Sequence, residues 1–303
     1  MAKKKQKPQI IDIELQRLEQ IKKLVVLAMF SDDELMDRFV LKGGNALDLV
    51  LRVSTRASLD IDLSMENDFG KDMHSIRLRL EQMLDGTFRP EKYVVFDVTL
   101  EERPEVVTPE LAQFWGGYRL EFKLISPDAF ARCAHDPDAM RRNAMRIGGF
   151  SKFQVDISKF EYCGRKRPEL FEGYRIFVYT PEMMVGEKLR AICQQMPEYS
   201  SIVKRTRPGA ARGRDFVDIH ALVDHFKIDM GNQPNSELLR LIFAAKRVPM
   251  RLLGEIHAYR EFHRPDFQIV KDTVKPGVQL RDFDFYFDFV LSLCKRLEPL
   301  WHV

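Results

Sequence analysis

The stretch "LKGGNALDLVLRVSTRASLDIDL", Leu41–Leu63, sets two glycines after a short apolar run and two aspartates at alternate positions of a later apolar segment. In a strand, alternate side chains share a face. Leu59, Ile61 and Leu63 therefore turn to a core, while Asp60 and Asp62 project together from the other side. Like charges side by side repel, and each raises the other's pKa unless a cation lies between them. Arg52 and Arg56 could supply that charge. A divalent cation is the other solution, and Mg²⁺ favours one or two carboxylates together with phosphate oxygens. Gly43 and Gly44 lie between a strand ("RFVLKGG") and a short helix ("NALDLVLRV"). Glycines there let backbone N–H groups approach a phosphate, and the helix N-terminus adds partial positive charge. The order strand, glycine turn, helix, strand with paired acids thus places a triphosphate seat beside a metal-binding pair.

A third carboxylate on a neighbouring strand would complete a two-metal site for phosphoryl or nucleotidyl transfer. Asp156 in "FQVDIS" is the best candidate: Phe153, Val155 and Ile157 form an apolar face, and Asp156 projects with Gln154 and Ser158. Asp97 in "VVFDVTL" competes for the role.

Working outward, residues 9–38 and 72–85 read as helices. Segments 92–102, 118–126 and 153–159 read as alternating strands, the first two as near neighbours. "YRIFVYTPEMMVGEKLRAICQQM" is a strand followed by a helix capped by Thr180, with Pro181 at its first position. Beyond it the chain is Arg/Gly-rich ("VKRTRPGAARGRD") and then mostly helical, with loops expected around Pro265 and Pro276. The fold class predicted is α+β: a core over residues 1–185, a mixed sheet flanked by helices, followed by a mostly helical region over 186–303.

The 303 residues carry 48 Lys and Arg against 45 Asp and Glu, a net charge of +3, so overall charge does not select nucleic acid as partner. Cys133, Cys163, Cys193 and Cys294 fit no zinc spacing and read as reduced thiols. The apolar "LVVLAMF" is short and has Asp12, Glu14 and Glu19 upstream, so no signal sequence is predicted. No run reaches the roughly 18 apolar residues of a membrane span. A soluble, cytoplasmic protein without membrane partners is expected.

At this point the residues resemble a known family, the AbiEii/AbiGii-type nucleotidyltransferase toxins, which include the MenT-like toxins. Their K-G-G-x-A-L segment stands here as Lys42 to Leu47. Their R-x-S-x-D-I-D-L strand stands as Arg56, Ser58, Asp60, Ile61, Asp62 and Leu63. "PEMMVGEKLRAI" is similar to the family's lysine helix, with Lys188 at the lysine. "RGRDFVDIHALV" is similar to its R-D-x-x-D helix, with Arg214, Asp215 and Asp218. The resemblance implies a DNA-polymerase-β-like nucleotidyltransferase core and transfer of a nucleotide from an NTP. It also implies two Mg²⁺ ions on Asp60, Asp62 and Asp156, an RNA acceptor such as the tRNA 3′ end, a block of translation, and a cognate antitoxin. The sequence departs from the pattern at Asn45 and in the basic stretch 199–213, and residues 223–303 match no motif.

The remaining candidates carry two readings each. Lys188 could reach a triphosphate as a mobile point charge, or pair with Glu182 or Glu187 in solvent. Asp215 and Asp218 could orient Lys188 or Arg214, contact the nucleotide or act as a base. Asp215 could equally be a carboxylate favoured by the helix dipole. Ser58 shares the face of Asp60 and Asp62 and could touch phosphate. Lys204, Arg205, Arg207, Arg212 and Arg214 crowd one loop and are candidates for an RNA backbone, or form a solvated charge run. Lys152, Lys159, Arg165, Lys166 and Arg167 form a second basic cluster. His220, His225, His257 and His263 have no metal spacing and read as surface or capping residues. The aromatic run Phe283–Phe289 reads as an element packed on the core. The reading is thus an enzyme with a nucleotidyl-transfer centre. The alternatives are transfer to a protein hydroxyl, and a nucleotide-binding module without turnover.

Overall fold

The computed structural model describes residues 6–53, 60–70, 72–105, 108–133, 135–275 and 277–302. Helix α1 (Gln6–Met29) ends earlier than the sequence pattern suggests, and turns carry the chain into β1 (Val40–Lys42). Two short helical pieces follow, α2 (Gly43–Asn45) and a wide turn over Ala46–Val50, and then β2 (Ile61–Ser64). Helix α3 (Met73–Phe88) begins at Asp72, whose side chain accepts from His74 and Ser75 N–H. Strands β3 (Val94–Arg103) and β4 (Gly117–Ile125) pair antiparallel, and α4 (Pro127–Cys133) and α5 (Pro137–Arg142) lead to β5 (Phe153–Ser158).

The hairpin of β6 (Arg167–Phe171) and β7 (Tyr174–Val178) turns on Glu172 and Gly173, both with positive φ. The sequence reading missed β6. Its outward residues Pro168 and Leu170 break the alternation that marks a strand. Helix α6 (Pro181–Cys193) starts as predicted, with Thr180 accepting from Met183 N–H and Pro181 in the first turn. Helices α7 (Pro197–Ile202), α8 (Gly213–Phe226), α9 (Gln233–Ala245), α10 (Leu252–Glu255), α11 (Arg260–His263), α12 (Phe267–Thr273) and α13 (Phe283–Arg296) complete the chain. Pro265 sits in a helical turn rather than an open loop, at a first-turn position where its missing N–H costs nothing. The aromatic run is α13, and Phe287 stacks on Phe216 of α8 at 4.9 Å.

The seven strands form one mixed sheet in the order β3-β4-β5-β2-β1-β7-β6. Parallel pairing occurs between β1 and β7 and between β2 and β5. Ile61, Leu63, Val155 and Ile157 are buried, so this face of the two central strands belongs to the core. The opposite face carries the polar residues, and α6 and α8 stand beside it. Among the described residues no helix is long and apolar enough to cross a membrane, and all four cysteines are free.

Candidate active site

Strand register builds the centre. Lys42 of β1 pairs with Asp62 of β2, Asp62 with Asp156 of β5, and Asp156 with Arg119 of β4. Residues in register share a face, so the sheet carries a row in the order cation, acid, acid, cation. Asp156 is thus the carboxylate beside Asp62. Asp97 lies on β3 at the far edge of the sheet, in a bulge with φ of 56°. There Lys123 at 2.6 Å and Arg141 at 3.0 Å hold its carboxyl down to about 2, so Asp97 is a structural ion pair.

The paired acids of β2, Asp60 and Asp62, are poorly neutralised. Burial pushes the Asp62 carboxyl up to about 6; Lys42 opposes the shift, and Glu187, Asp156 and Asp60 add to it. Asp60, exposed at the mouth, is raised by partial burial and then by Asp156, against the pull of Arg214 and Arg119. Asp156 is turned to Arg119 Nε at 3.1 Å and Gln154 Nε2 at 2.8 Å. Burial disfavours charge on Lys42, yet Glu161 and Glu187 outweigh it and keep the ammonium firmly protonated.

The glycine turn closes on this pair. Gly43 has φ of 68°, and a Cβ there would stand 2.3 Å from Asp62 Oδ2. No side chain fits, and the backbone therefore lies directly against the carboxylate. Asn45, fully buried, donates to the Asp60 carbonyl and ties the turn to the start of β2.

A cavity of about 240 Å³ opens at this point, with Gly43, Gly44, Asp60 and Asp62 on the sheet side. Glu187 and Lys188 of α6, and Arg212, Arg214 and Asp215 at the start of α8, line the other side. Lys188 is buried rather than mobile, and its ammonium donates to Asp215 at 2.9 Å and Asp218 at 2.7 Å. Asp215 also accepts from Arg212 Nε, and despite burial Arg212 and Lys188 hold its carboxyl well below the usual range. A second cavity of about 370 Å³ shares Lys42, Glu187 and Arg212 with the first and extends past Asp156 to Trp115 and Tyr118. Beneath it Glu161 binds Arg190 and approaches Lys42 and Lys246.

The other candidates disperse. Ser58 and Arg56 lie outside the described residues. Arg205 faces inward, donating to the carbonyls of Gln194 and Gln195 and to Ser200 Oγ. Arg212 and Arg214 belong to the cleft, and Lys204 and Arg207 face solvent. In the second basic cluster Lys159 is buried with Asp68 and Glu102, and Lys152 and Arg167 pair with Glu121 and Glu169. His263, expected at the surface or as a cap, is fully buried; its Nδ1 accepts from Arg212 N–H at 3.1 Å. Sequence reasoning gave Lys42 only a place in the family segment and Glu187 only as a partner for Lys188, and did not single out Arg119 or Asp266. A lysine in an apolar strand was a signal for Lys42, whereas Arg119 and Asp266 become visible only through register and packing.

Among the described residues no three acids, histidines or cysteines stand ready as a metal cage. The donor set nevertheless suits Mg²⁺: Asp60 and Asp62 offer hard oxygens with raised pKa values, and one or two carboxylates suffice when phosphate and water complete the shell.

Paired acids on a central strand, a glycine turn against them and a wall of lysine and arginine define the site type of a nucleotidyltransferase. A family profile described as "Nucleotidyl transferase AbiEii toxin, Type IV TA system" matches residues 25–289. The chain belongs to that family and is a nucleotidyltransferase of the toxin class. No curated protein matches it significantly. Among solved structures it is similar to JHP933 from Helicobacter pylori, with TM-score 0.47, 14% identity and coverage of 95% of this chain and 93% of that one. A second Helicobacter pylori structure gives 0.46, 13%, 95% and 96%. An antigenic nucleotidyltransferase-like protein from Paracoccidioides brasiliensis gives 0.34, 16%, 84% and 93%. All three scores are low, and the family assignment rests on the profile match.

Proposed function

We propose that the cleft binds a nucleoside triphosphate with Mg²⁺ and transfers its nucleotidyl group to the hydroxyl of an RNA acceptor, such as the 3′ end of tRNA, so blocking translation. The observation that carries this reading is the register row Lys42–Asp62–Asp156–Arg119 with Gly43 packed against Asp62. Asp60 and Asp62 would hold the metal, and Asp156 would join them on leaving Arg119. Bound Mg²⁺ neutralises phosphate charge and acidifies an acceptor hydroxyl. The backbone at Gly43 and Gly44 seats phosphate oxygens, and Arg212 and Arg214 face the triphosphate as guanidinium donors. Lys188 orders Asp215 and Asp218 beneath them. The acceptor oxygen bonds to the α-phosphorus, pyrophosphate leaves, and the hydroxyl proton passes to solvent or to Asp156. A cognate antitoxin is the protein partner the family description implies.

Incubating the pure protein with each α-labelled NTP, Mg²⁺ and total RNA is expected to yield a nuclease-sensitive labelled product, absent with Asp60→Ala. Nucleotide binding without transfer to any acceptor would contradict the proposal. A second reading changes the acceptor to a protein hydroxyl. An apolar groove of about 580 Å³, lined by Leu18, Ile21, Val25 and Phe153, reaches Asp60 and is suited to a polypeptide. Protease-sensitive label would favour it.

A further inference from the structure

We infer that the segment around His263 and Asp266 is a clamp that holds Arg212 and Arg214 in the cleft, making His263 and Asp266 positioning residues for nucleotide binding. The inference rests on the cleft being the nucleotide site and gives part of residues 223–303 a role there.

The argument begins with an unmet need. A helix leaves its first N–H groups without intrahelical acceptors. Helix α8 has Arg212 at its N-cap, a residue with no side-chain oxygen to offer, and its side chain makes no cap. The acceptors come instead from residues about fifty positions later. Arg212 N–H donates to His263 Nδ1 at 3.1 Å, and Arg214 N–H donates to Asp266 Oδ2 at 3.0 Å.

The same Asp266 oxygen accepts from Arg214 Nε at 3.2 Å, so one carboxylate grips both the backbone and the side chain of one arginine. Asp266 is almost fully buried, whereas the Arg214 side chain is 44% exposed and lines the cleft. Bonding at Nε leaves the outer guanidinium donors to meet an anion. The clamp also sets the distance between the segments. A Cβ on Gly213 would stand 2.8 Å from His263 O and 2.8 Å from Phe267 N, so the backbones touch with no room for a side chain.

His263 is suited to accepting. Burial pushes it down to about 4, so the imidazole is neutral and Nδ1 can receive a proton donor. Among the described residues its Nε2 is buried with no hydrogen-bond partner. A buried polar atom left unsatisfied costs free energy, and retaining one fits a histidine kept for what its other nitrogen holds. Together with Asp215, which grips the Arg212 guanidinium, the clamp fixes both arginines opposite Asp60 and Asp62.

The test uses the full chain in four forms: wild type, Asp266→Ala, Arg214→Ala and the double variant. Hydrogen exchange over residues 212–216 reports positioning, and equilibrium binding of ATP, GTP, CTP and UTP with Mg²⁺ reports function. Asp266→Ala is expected to speed exchange in that segment at least about tenfold while the rest of the chain is unchanged. It should weaken the tightest-binding NTP by about tenfold, with Asp266→Asn intermediate because its amide oxygen still accepts. Arg214→Ala should weaken binding similarly, and the double variant should be no worse than the weaker single variant. Unchanged exchange, faster exchange throughout the chain, or losses that multiply in the double variant overturn the clamp. A wild type that binds none of the four NTPs overturns the nucleotide reading, and the exchange result then decides separately whether the clamp holds α8.

Discussion

Asp62 and Asp215 line the same cleft, yet their charges meet opposite conditions. Asp215 lies between Lys188 and Arg212, and its carboxyl is held low despite complete burial. Asp62 has one cation in register, Lys42, and three acids acting on it, and its carboxyl rises to about 6. The α6–α8 cluster is internally neutralised and shapes the wall. The β2 pair is left with negative charge that a bound cation would neutralise. The residue type is the same in both places, so neighbours alone separate a neutralised acid from one left charged.

The largest effect should fall on transfer. Asp60→Ala or Asp62→Asn is expected to reduce label transfer from NTP by at least about a thousandfold. Either variant should also release the growth arrest caused by expressing the wild type. Equal arrest by wild type and Asp60→Ala would break the contrast at its catalytic side.

The scaffold side should respond in stability. Lys188→Met removes the cation that buried Asp215 and Asp218 share and should cost about 3–5 kcal/mol in urea unfolding. A loss of nucleotide binding with unchanged stability would instead make Lys188 a direct ligand.

Asp62→Asn should move stability the other way. The folded-state pKa of Asp62 is raised, so the folded protein binds the extra proton and is penalised as pH rises through about 6. The variant should therefore gain about 1–3 kcal/mol at pH 7.5, and the gain should vanish near pH 4. A destabilised Asp62→Asn at neutral pH would show the acid to be satisfied. On the same grounds the apparent Mg²⁺ affinity should fall about tenfold per unit as pH drops below about 6.

The smallest effect belongs to the exposed loop. With Arg205 and Arg212 committed inward, Lys204→Ala combined with Arg207→Ala should weaken RNA binding only a few-fold and lower its salt dependence by about two charges.

Much of the core was legible because its signals are local. The alternation in "LDIDL" and "FQVDIS" put three acids on outward faces, and the glycine pair marked the turn. Thr180 and Pro181 gave the start of α6 directly. The row itself was not legible, because pairing Asp62 with Asp156 and Asp156 with Arg119 depends on register across segments far apart in the chain. That Asp215 and Asp218 could orient Lys188 was one of the readings open in sequence, but one helix's periodicity does not reveal that the lysine is buried under α8. The basic loop read as a single surface since sequence cannot show that Arg205 turns to carbonyls. Asp266 gave no signal at all.

The most direct test of the central claim is Mn²⁺ binding in the presence of NTP, followed by electron paramagnetic resonance, for wild type and Asp62→Asn. The account predicts saturable Mn²⁺ binding by the wild type that Asp62→Asn loses, with the variant folded at least as stably. Equal Mn²⁺ binding by both proteins would contradict it.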